Sequence, residues 1–374
     1  QAEALGYFAR GELRFMTDDH LAWMARAGLR LGRWDAVRDA IYAMSPAQRG
    51  ETGWTYWRAR TIEALEDPDA SVARAQAREI YETIASPRDF HGMLAMESLG
   101  LPIVAPTPPE PLTAEERRAA EQNPGLRRAL TAIRLGLRGE GVREWNYQVA
   151  LHAPGGMGDR ELLAAADLAC REQLWDRCIN TSQRTREAID MQQRFPTPHR
   201  EQVVARTRDI GLDPAYVYGL IRQESRFVVE ARSQVGASGL MQVMPATARW
   251  TARKIGLSNF QPQQIGERDT NIQIGTAYLK FALDDFEGSM PLAAAAYNAG
   301  PGRARAWRNG PVLPGEIWAE NIPFEETRDY VQRVLTNTVN YAALMSGAPQ
   351  SLRQRLGTVG PRSVAAPAEN TELP

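Results

Sequence analysis

One carboxylate stands where a helix should be apolar. Asp213–Pro214 is a strong helix start, with Asp as N-cap and Pro at the first helical position. The helix runs on to Glu224, and its apolar stripe of Val217, Leu220 and Ile221 has Glu224 as the next member. A carboxyl group on an inward face loses water, which penalises its charged form and raises its pKa. A raised pKa is what a general acid needs to hold a proton near neutral pH. The competing reading is a salt bridge from Glu224 to Arg222 or Arg226 at the helix end.

Two further stretches carry polar groups in unusual company. Ser233 to Pro245 places Gly236 and Gly239 shortly after the helix, with Ser233 and Gln242 among apolar neighbours and Met244 at its end. Such a stretch has poor helix propensity and reads as a tight loop whose backbone approaches something closely. Pro245 then opens a helix through Ile255. Downstream, the small-residue run Ala293–Ala296 leads into Tyr297, Asn298, Gly300, Pro301 and Gly302. An aromatic face beside amide donors and acceptors suits a sugar, which offers apolar C–H faces and hydroxyl edges. The plainer reading is a helix C-cap and turn with Tyr297 in the core.

The elements that must position these residues are helical almost throughout. Alternating strand patterns are scarce and apolar residues recur at helical spacing, so the fold class is mainly all-α. The segment Leu21, Met24, Ala25, Gly32, Trp34, Val37, Ile41 reads as two short helices around a turn. Leu162–Thr181 repeats the layout, with Trp175–Asp176 in the place of Trp34–Asp35 and Cys170 and Cys178 in the places of Leu29 and Val37. The match suggests helical hairpins stacked as a solenoid. Two cysteines at these inner positions are either small buried residues or a disulfide, which would need an oxidising compartment.

Length and charge bound the rest. A chain of 374 residues is too long for one ordinary core and implies two or three domains. Lys and Arg number 44 against 45 Asp and Glu, a net charge of -1. That balance excludes a nucleic-acid binder and electrostatic attachment to an anionic membrane. No stretch reaches the roughly 18 apolar residues of a membrane span. The four histidines are scattered away from the cysteines, so neither a metal site nor a cofactor is expected. The chain opens on Gln1, which reads as a processed or excised form with any export signal absent from it. Leu101–Pro111, with five prolines, His152–Gly158 and Phe195–Pro198 punctuate the chain, and helical periodicity fades from about Ser346. The domains expected are a helical superhelix segment over 1–105, a helical linker domain over 106–188, a catalytic domain over 189–348 and a disordered tail over 349–374.

Taken together, Glu224-Ser-Arg-Phe, then Gly236 to Pro245, then Ala296 to Gly302 resemble the successive motifs of the soluble lytic murein transglycosylases. Asn271-Ile-Gln-Ile-Gly275 with Tyr278–Leu279 resembles that family's intermediate motif, and Glu320 to Phe324 followed by Glu326 to Val331 its closing motif. Order and spacing agree over roughly 160 residues. Glu267–Arg268 departs from the Asp-Pro usual before the Asn-Ile motif, at an expected helix start. Upstream, Trp54 to Arg60 is similar to the family's superhelix and Leu112–Thr185 to its linker domain. The superhelix of the large members is much longer than the segment before Leu112, so the chain is a fragment or its superhelix is short.

The resemblance implies a goose-lysozyme-like catalytic domain in which Glu224 is the acid/base. It implies that Ser233, Gln242, Met244 and Tyr297 line a saccharide groove, and that Glu320 binds sugar hydroxyl or acetamido groups. Asn298 and Tyr330 would orient substrate, and Arg328 is read as an inter-helix salt bridge. Ordinary glycosidases use two carboxyl groups, whereas the motifs supply Glu224 alone with Glu320 as a binding acid. The reaction implied is non-hydrolytic cleavage of the bond between N-acetylmuramic acid and N-acetylglucosamine, leaving 1,6-anhydro ends. The partners implied are peptidoglycan glycan strands and cell-wall synthesis proteins, the state monomeric, and the compartment the periplasm of a Gram-negative bacterium. A lysozyme-like hydrolase on the same fold and a non-catalytic glycan-binding scaffold are the alternatives.

Overall fold

A computed structural model describes residues 2–8, 10–65 and 71–374. Among the described residues, helices supply nearly all regular structure, and the named strands are Leu313–Pro314 and Thr358–Val359, paired antiparallel. No helix among them is long and apolar enough to cross a membrane.

Three helical hairpins share one turn. They are Asp18–Leu31 with Trp34–Ala43, Pro124–Arg134 with Arg138–Ala150, and Asp159–Arg171 with Trp175–Ser182. Each first helix ends before a left-handed residue: Gly32 at φ 66°, Gly136 at φ 82° and Gln173 at φ 57°. The next backbone N–H then reaches back to the same relative carbonyl, Arg33 to Gly28, Leu137 to Ala132 and Leu174 to Ala169, each at 2.9 Å. This is the Schellman closure, which satisfies carbonyls left open at a helix end. The sequence reading found the first and third hairpins. The second carries no such signature, because Arg138–Gly139 stands in the place of the Trp-Asp pair.

The contact just inside the turn is made differently each time. A Cβ on Gly28 would lie 2.8 Å from Val37, so glycine sets how close those helices pack. In the second hairpin the close residue is Gly141, whose Cβ would lie 2.5 Å from Ile133. In the third, Cys170 and Cys178 are joined as a disulfide with Cα atoms 5.0 Å apart. There Gln173 holds the left-handed position at a cost of roughly 1 kcal/mol relative to glycine.

The chain divides into two compact units. One comprises 1–104 with 277–374, the other 105–276, and the helix Arg268–Asp285 contributes to both. The domain boundaries expected from sequence differ, because residues after 277 find their partners in the N-terminal helices. Within that unit Asn340 donates to Pro87 O at 3.1 Å, the Gln350 amide to Ile103 O at 2.9 Å, and Arg353 to Ser98 Oγ at 2.7 Å. The second unit is centred on Leu126, Ala129, Trp145, Leu162, Ala165 and Leu168, with Trp145 Nε1 donating to Thr181 Oγ1 at 2.8 Å.

The tail expected to be disordered is structured. Ser351 caps the helix Leu352–Leu356, Thr358–Val359 pairs with Leu313–Pro314, and Leu352, Leu356, Val359 and Leu373 are buried. Further on, Asp285 accepts from the Asn370 amide at 2.8 Å and Arg305 donates to Asn370 O at 2.8 Å. Isolated apolar residues at irregular spacing anchor this segment, so it lacks the periodicity by which a helix is read.

The disulfide gives a direct prediction. Thiol titration of the protein unfolded without reductant should find no free thiol, and reduction should release two. Two free thiols before reduction would contradict the bond.

Candidate active site

The helix Pro214–Glu224 starts as its sequence dictates. Asp213 Oδ1 accepts from the Ala215 amide at 2.8 Å, and Tyr216, Val217, Tyr218 and Leu220 are fully buried. Glu224 is the last helical residue, and its side chain is half-buried. Arg222 donates to Arg194 O at 2.9 Å and lies over the Phe195 ring, with its guanidinium carbon 4.3 Å from the ring centroid.

The next residue fastens this helix end. Ser225 Oγ donates to Leu240 O at 2.7 Å and accepts from the Phe227 amide at 3.1 Å. Arg226 and Phe227 both take positive φ, 49° and 65°, so the chain turns sharply just after the carboxylate. Two consecutive non-glycine residues in that region are costly and persist only where the surroundings dictate them.

The glycine-rich stretch is the tight loop expected. Ser233 closes it by accepting from the Ala237 amide at 2.9 Å on its Oγ, while its own amide donates to Ala237 O at 2.9 Å. Gln242, at φ 46°, turns its Nε2 inward to Ala231 O at 3.0 Å and Gly239 O at 2.8 Å. Met244 sits at the N-cap before Pro245 and is 40% exposed. The loop thus occupies the donors of Gln242 and leaves the Met244 side chain to solvent.

Asn271 holds this loop from below. It is fully buried, accepts from the Met241 amide at 2.8 Å, and donates to Ser238 O and Ile265 O, both at 2.8 Å. Gly239, at φ 79°, makes room for it, since a Cβ there would lie 2.2 Å from Asn271 Nδ2. Gly275, one helical turn on, admits the Met241 side chain, whose sulfur would lie 2.5 Å from an added Cβ. The helix Arg268–Asp285 begins at the departure from the usual motif, with the Asn271 amide bonded to Glu267 O at 2.8 Å. Sequence reading quoted Ser225, Asn271 and Gly275 as motif members without a task for them. A buried Asn between Thr270 and Ile272 was the available signal.

The remaining site residues lie in the other unit. Tyr297 is half-buried near the end of the helix Met290–Ala299, with its ring centroid 5.4 Å from that of Tyr278. Asn298 Oδ1 accepts from Thr327 Oγ1 at 2.7 Å. Gly300, at φ 89°, both ends this helix and caps Pro301–Trp307. Tyr330 is buried on the helix Glu325–Ser346.

Glu320 is enclosed by protein donors, a setting the sequence did not disclose. Arg26 Nε donates to Oε1 at 3.0 Å, Trp57 Nε1 donates to Oε2 at 3.3 Å, and His91 Nε2 lies 3.3 Å from Oε2. Burial alone would raise its pKa, but the His91 ring and the charges of Arg26 and Arg328 outweigh it and hold the carboxyl at about 2. The depressed pKa stabilises the fold fully above the ordinary value of 4.5, and that contribution is lost as pH falls from there to about 2. Arg328, expected in an inter-helix salt bridge, donates to Ile322 O at 3.0 Å and lies over Trp23, 5.9 Å from the ring centroid.

Replacing Asn271 with Ala would strand the Met241 amide and the Ser238 and Ile265 carbonyls. The expected cost is about 2–4 kcal/mol in chemical denaturation, with proteolysis focused on 233–244. An Asn271→Ala protein as stable as the parent would show that the loop does not depend on this side chain.

This geometry coincides with known proteins. Residues 203–311 match the family model of the transglycosylase SLT domain, and 321–350 match that of the soluble lytic transglycosylase helical domain. A soluble lytic murein transglycosylase of Salmonella typhimurium is 31% identical over 296 residues, covering 78% of this chain and 44% of that protein. The Escherichia coli protein of the same name is 30% identical over 299 residues, covering 79% and 44%. The lytic transglycosylase Slt of Pseudomonas aeruginosa, solved as an inactive mutant, superposes with a TM-score of 0.80 at 34% identity, over 93% of this chain and 55% of that one. The chain therefore spans about half the length of the relatives it matches. Residues 203–311 thus carry a transglycosylase SLT domain, and the chain is similar in sequence and all-helical fold to about half of each soluble lytic murein transglycosylase it matches.

Proposed function

We propose that this chain cleaves peptidoglycan glycan strands as a lytic transglycosylase, with Glu224 as acid and then base. The observation that carries the reading is the half-buried carboxylate at a helix end locked by Ser225, inside the residues that match the SLT domain. A group fixed in this way meets a substrate without first being ordered, which lowers the entropic part of the barrier.

The steps balance without water. The Glu224 carboxyl gives its proton to the oxygen linking N-acetylmuramic acid to N-acetylglucosamine, and the bond from that oxygen to the anomeric carbon breaks. The muramic acid's own acetamido oxygen bonds to the anomeric carbon and carries the developing positive charge, as in substrate-assisted glycosidases. The C6 hydroxyl of the same sugar then attacks the anomeric carbon and displaces the acetamido oxygen. The Glu224 carboxylate takes the hydroxyl proton, which restores the acid. The products are an N-acetylglucosamine end and a 1,6-anhydro-N-acetylmuramic acid end.

In this reading Ser233, Gln242 and Met244 shape the saccharide surface of the Glu224 unit. Met244 contributes its exposed apolar chain, whereas Ser233 and Gln242 act by holding the loop. Tyr297 and Asn298 offer a ring face and an amide for sugar contacts in their own unit, with Tyr330 and Glu320 supporting them from the buried side. The substrate lies outside the cytoplasmic membrane, so we place the protein in the periplasm, acting as a monomer and alongside cell-wall synthesis proteins.

Replacing Glu224 with Gln removes the transferable proton and keeps size and packing. Release of soluble muropeptides from purified sacculi should fall on the order of a thousandfold, while stability changes by less than about 1 kcal/mol. A folded Glu224→Gln protein with full activity would overturn the assignment.

A further inference from the structure

The helix Asp18–Leu31 presents three residues on one face, Trp23, Arg26 and Arg30, spaced as neighbours on a helix surface. Each engages a different point of the segment that follows Tyr297 and Asn298. Arg30 donates to the backbone carbonyl of Asn309 and, at 3.1 Å, to Asn309 Oδ1. Arg26 is buried, donates to Glu320 at 3.0 Å, and has its guanidinium carbon 5.0 Å from the Trp23 ring and 5.3 Å from the Trp54 ring. Trp23 in turn lies under Arg328.

Glu320 ends the helix Gly315–Glu320, and the turn after it is bound to the Tyr297 region from two sides. Arg328 donates to Ile322 O at 3.0 Å, and its neighbour Thr327 donates to Asn298 at 2.7 Å. Phe324 stands edge-on to Trp307 at 5.3 Å between centroids, and Arg303 lies over it at 5.2 Å. Both belong to the helix Pro301–Trp307, which starts directly after Gly300. A displacement of Glu320 therefore reaches Asn298 through one hydrogen-bonded and one packed route.

We propose that Arg26, with Trp23 and Arg30 on the same helix face, is a positioning residue for the saccharide-contact segment Tyr297–Asn298, acting through Glu320. The inference rests on the glycan-cleaving reading above for what that segment binds. Buried Glu320 has no water to neutralise it, so its carboxylate stays in place only while cationic and polar donors surround it. The N-terminal hairpin thus serves as part of the substrate-binding apparatus and not only as a scaffold.

The test uses the full chain and compares Arg26→Met, which keeps an unbranched apolar stem and removes the charge, with Arg26→Lys. Two readings are taken at a temperature where each protein is fully folded: amide hydrogen exchange over 297–328, and KM and kcat on soluble uncrosslinked glycan strands. Arg26→Met should exchange faster at 297–302 and 320–328 and raise KM about tenfold, with kcat changed less, and Arg26→Lys should recover part of both. A lowered melting temperature with unchanged exchange at 297–302, or with unchanged KM, would overturn the proposal and leave Arg26 a stabilising residue only. If Arg26→Met does not fold, Trp57→Phe, which removes the indole donor to Oε2 along with part of the ring, decides by the same two readings with smaller shifts. If the parent chain releases no glycan fragments, the glycan-cleaving reading fails, and the exchange pattern alone decides the positioning claim.

Discussion

The loop beside Glu224 depends on one buried carboxamide. Asn271 has no exposure to water, and both ends of its side chain are occupied by backbone groups of the segments around it. A loop rich in glycine would otherwise have many conformations to lose on folding. Here those conformations are removed by three hydrogen bonds that converge from Ser238, Met241 and Ile265. The two glycines that look permissive in sequence are required for space: Gly239 clears Asn271 and Gly275 clears Met241. Ser225 then carries the order of the loop to the helix that ends in Glu224, through Leu240 O. The Glu224 carboxyl group inherits its position from an amide 47 residues further along the chain.

The unit built from 1–104 and 277–374 solves a different problem, which is how to keep ionised groups in an aromatic interior. Glu320 is surrounded by Arg26, Trp57 and His91, and Arg60 pairs with Glu316 at 3.5 Å one turn earlier on the same short helix. Buried ion pairs add little net stability over apolar packing, because desolvation offsets the attraction. Their strength lies in directionality, since removing one partner leaves a charge that water cannot reach. An arrangement of this kind fixes the orientation of the helix Gly315–Glu320 and of the turn that follows it. The hairpin turn closed after Gly28 in this unit has the same backbone closure as those after Ala132 and Ala169 in the other unit.

Much of this was legible in the sequence where local chemistry dictates local structure. Asp213–Pro214 announced a helix start, the glycines a tight loop and Gly300 the end of a helix, and each is found there. The equivalence of Cys170 and Cys178 with Leu29 and Val37 also holds, since all four flank the same turn. Properties set by distant partners were not legible. Nothing near Glu320 in sequence points to Arg26 or His91, so a motif acid read as a sugar ligand turned out to be enclosed. The tail was read as disordered because its anchors are single side chains, such as Leu352 and Leu373, whose partners lie elsewhere in the chain. The second hairpin escaped because its turn keeps the backbone geometry while exchanging the tryptophan for Arg138.

The central claim is that the Glu224 carboxylate returns the proton cycle to the substrate's own hydroxyl and admits no water. Digestion of purified sacculi in water enriched in heavy oxygen, followed by mass spectrometry of the released muropeptides, tests this directly. The account predicts 1,6-anhydro-N-acetylmuramic acid ends, lighter by one water than hydrolysed ends and free of heavy oxygen. Reducing muramic acid ends carrying the heavy isotope would contradict it and would make the enzyme a hydrolase on the same fold.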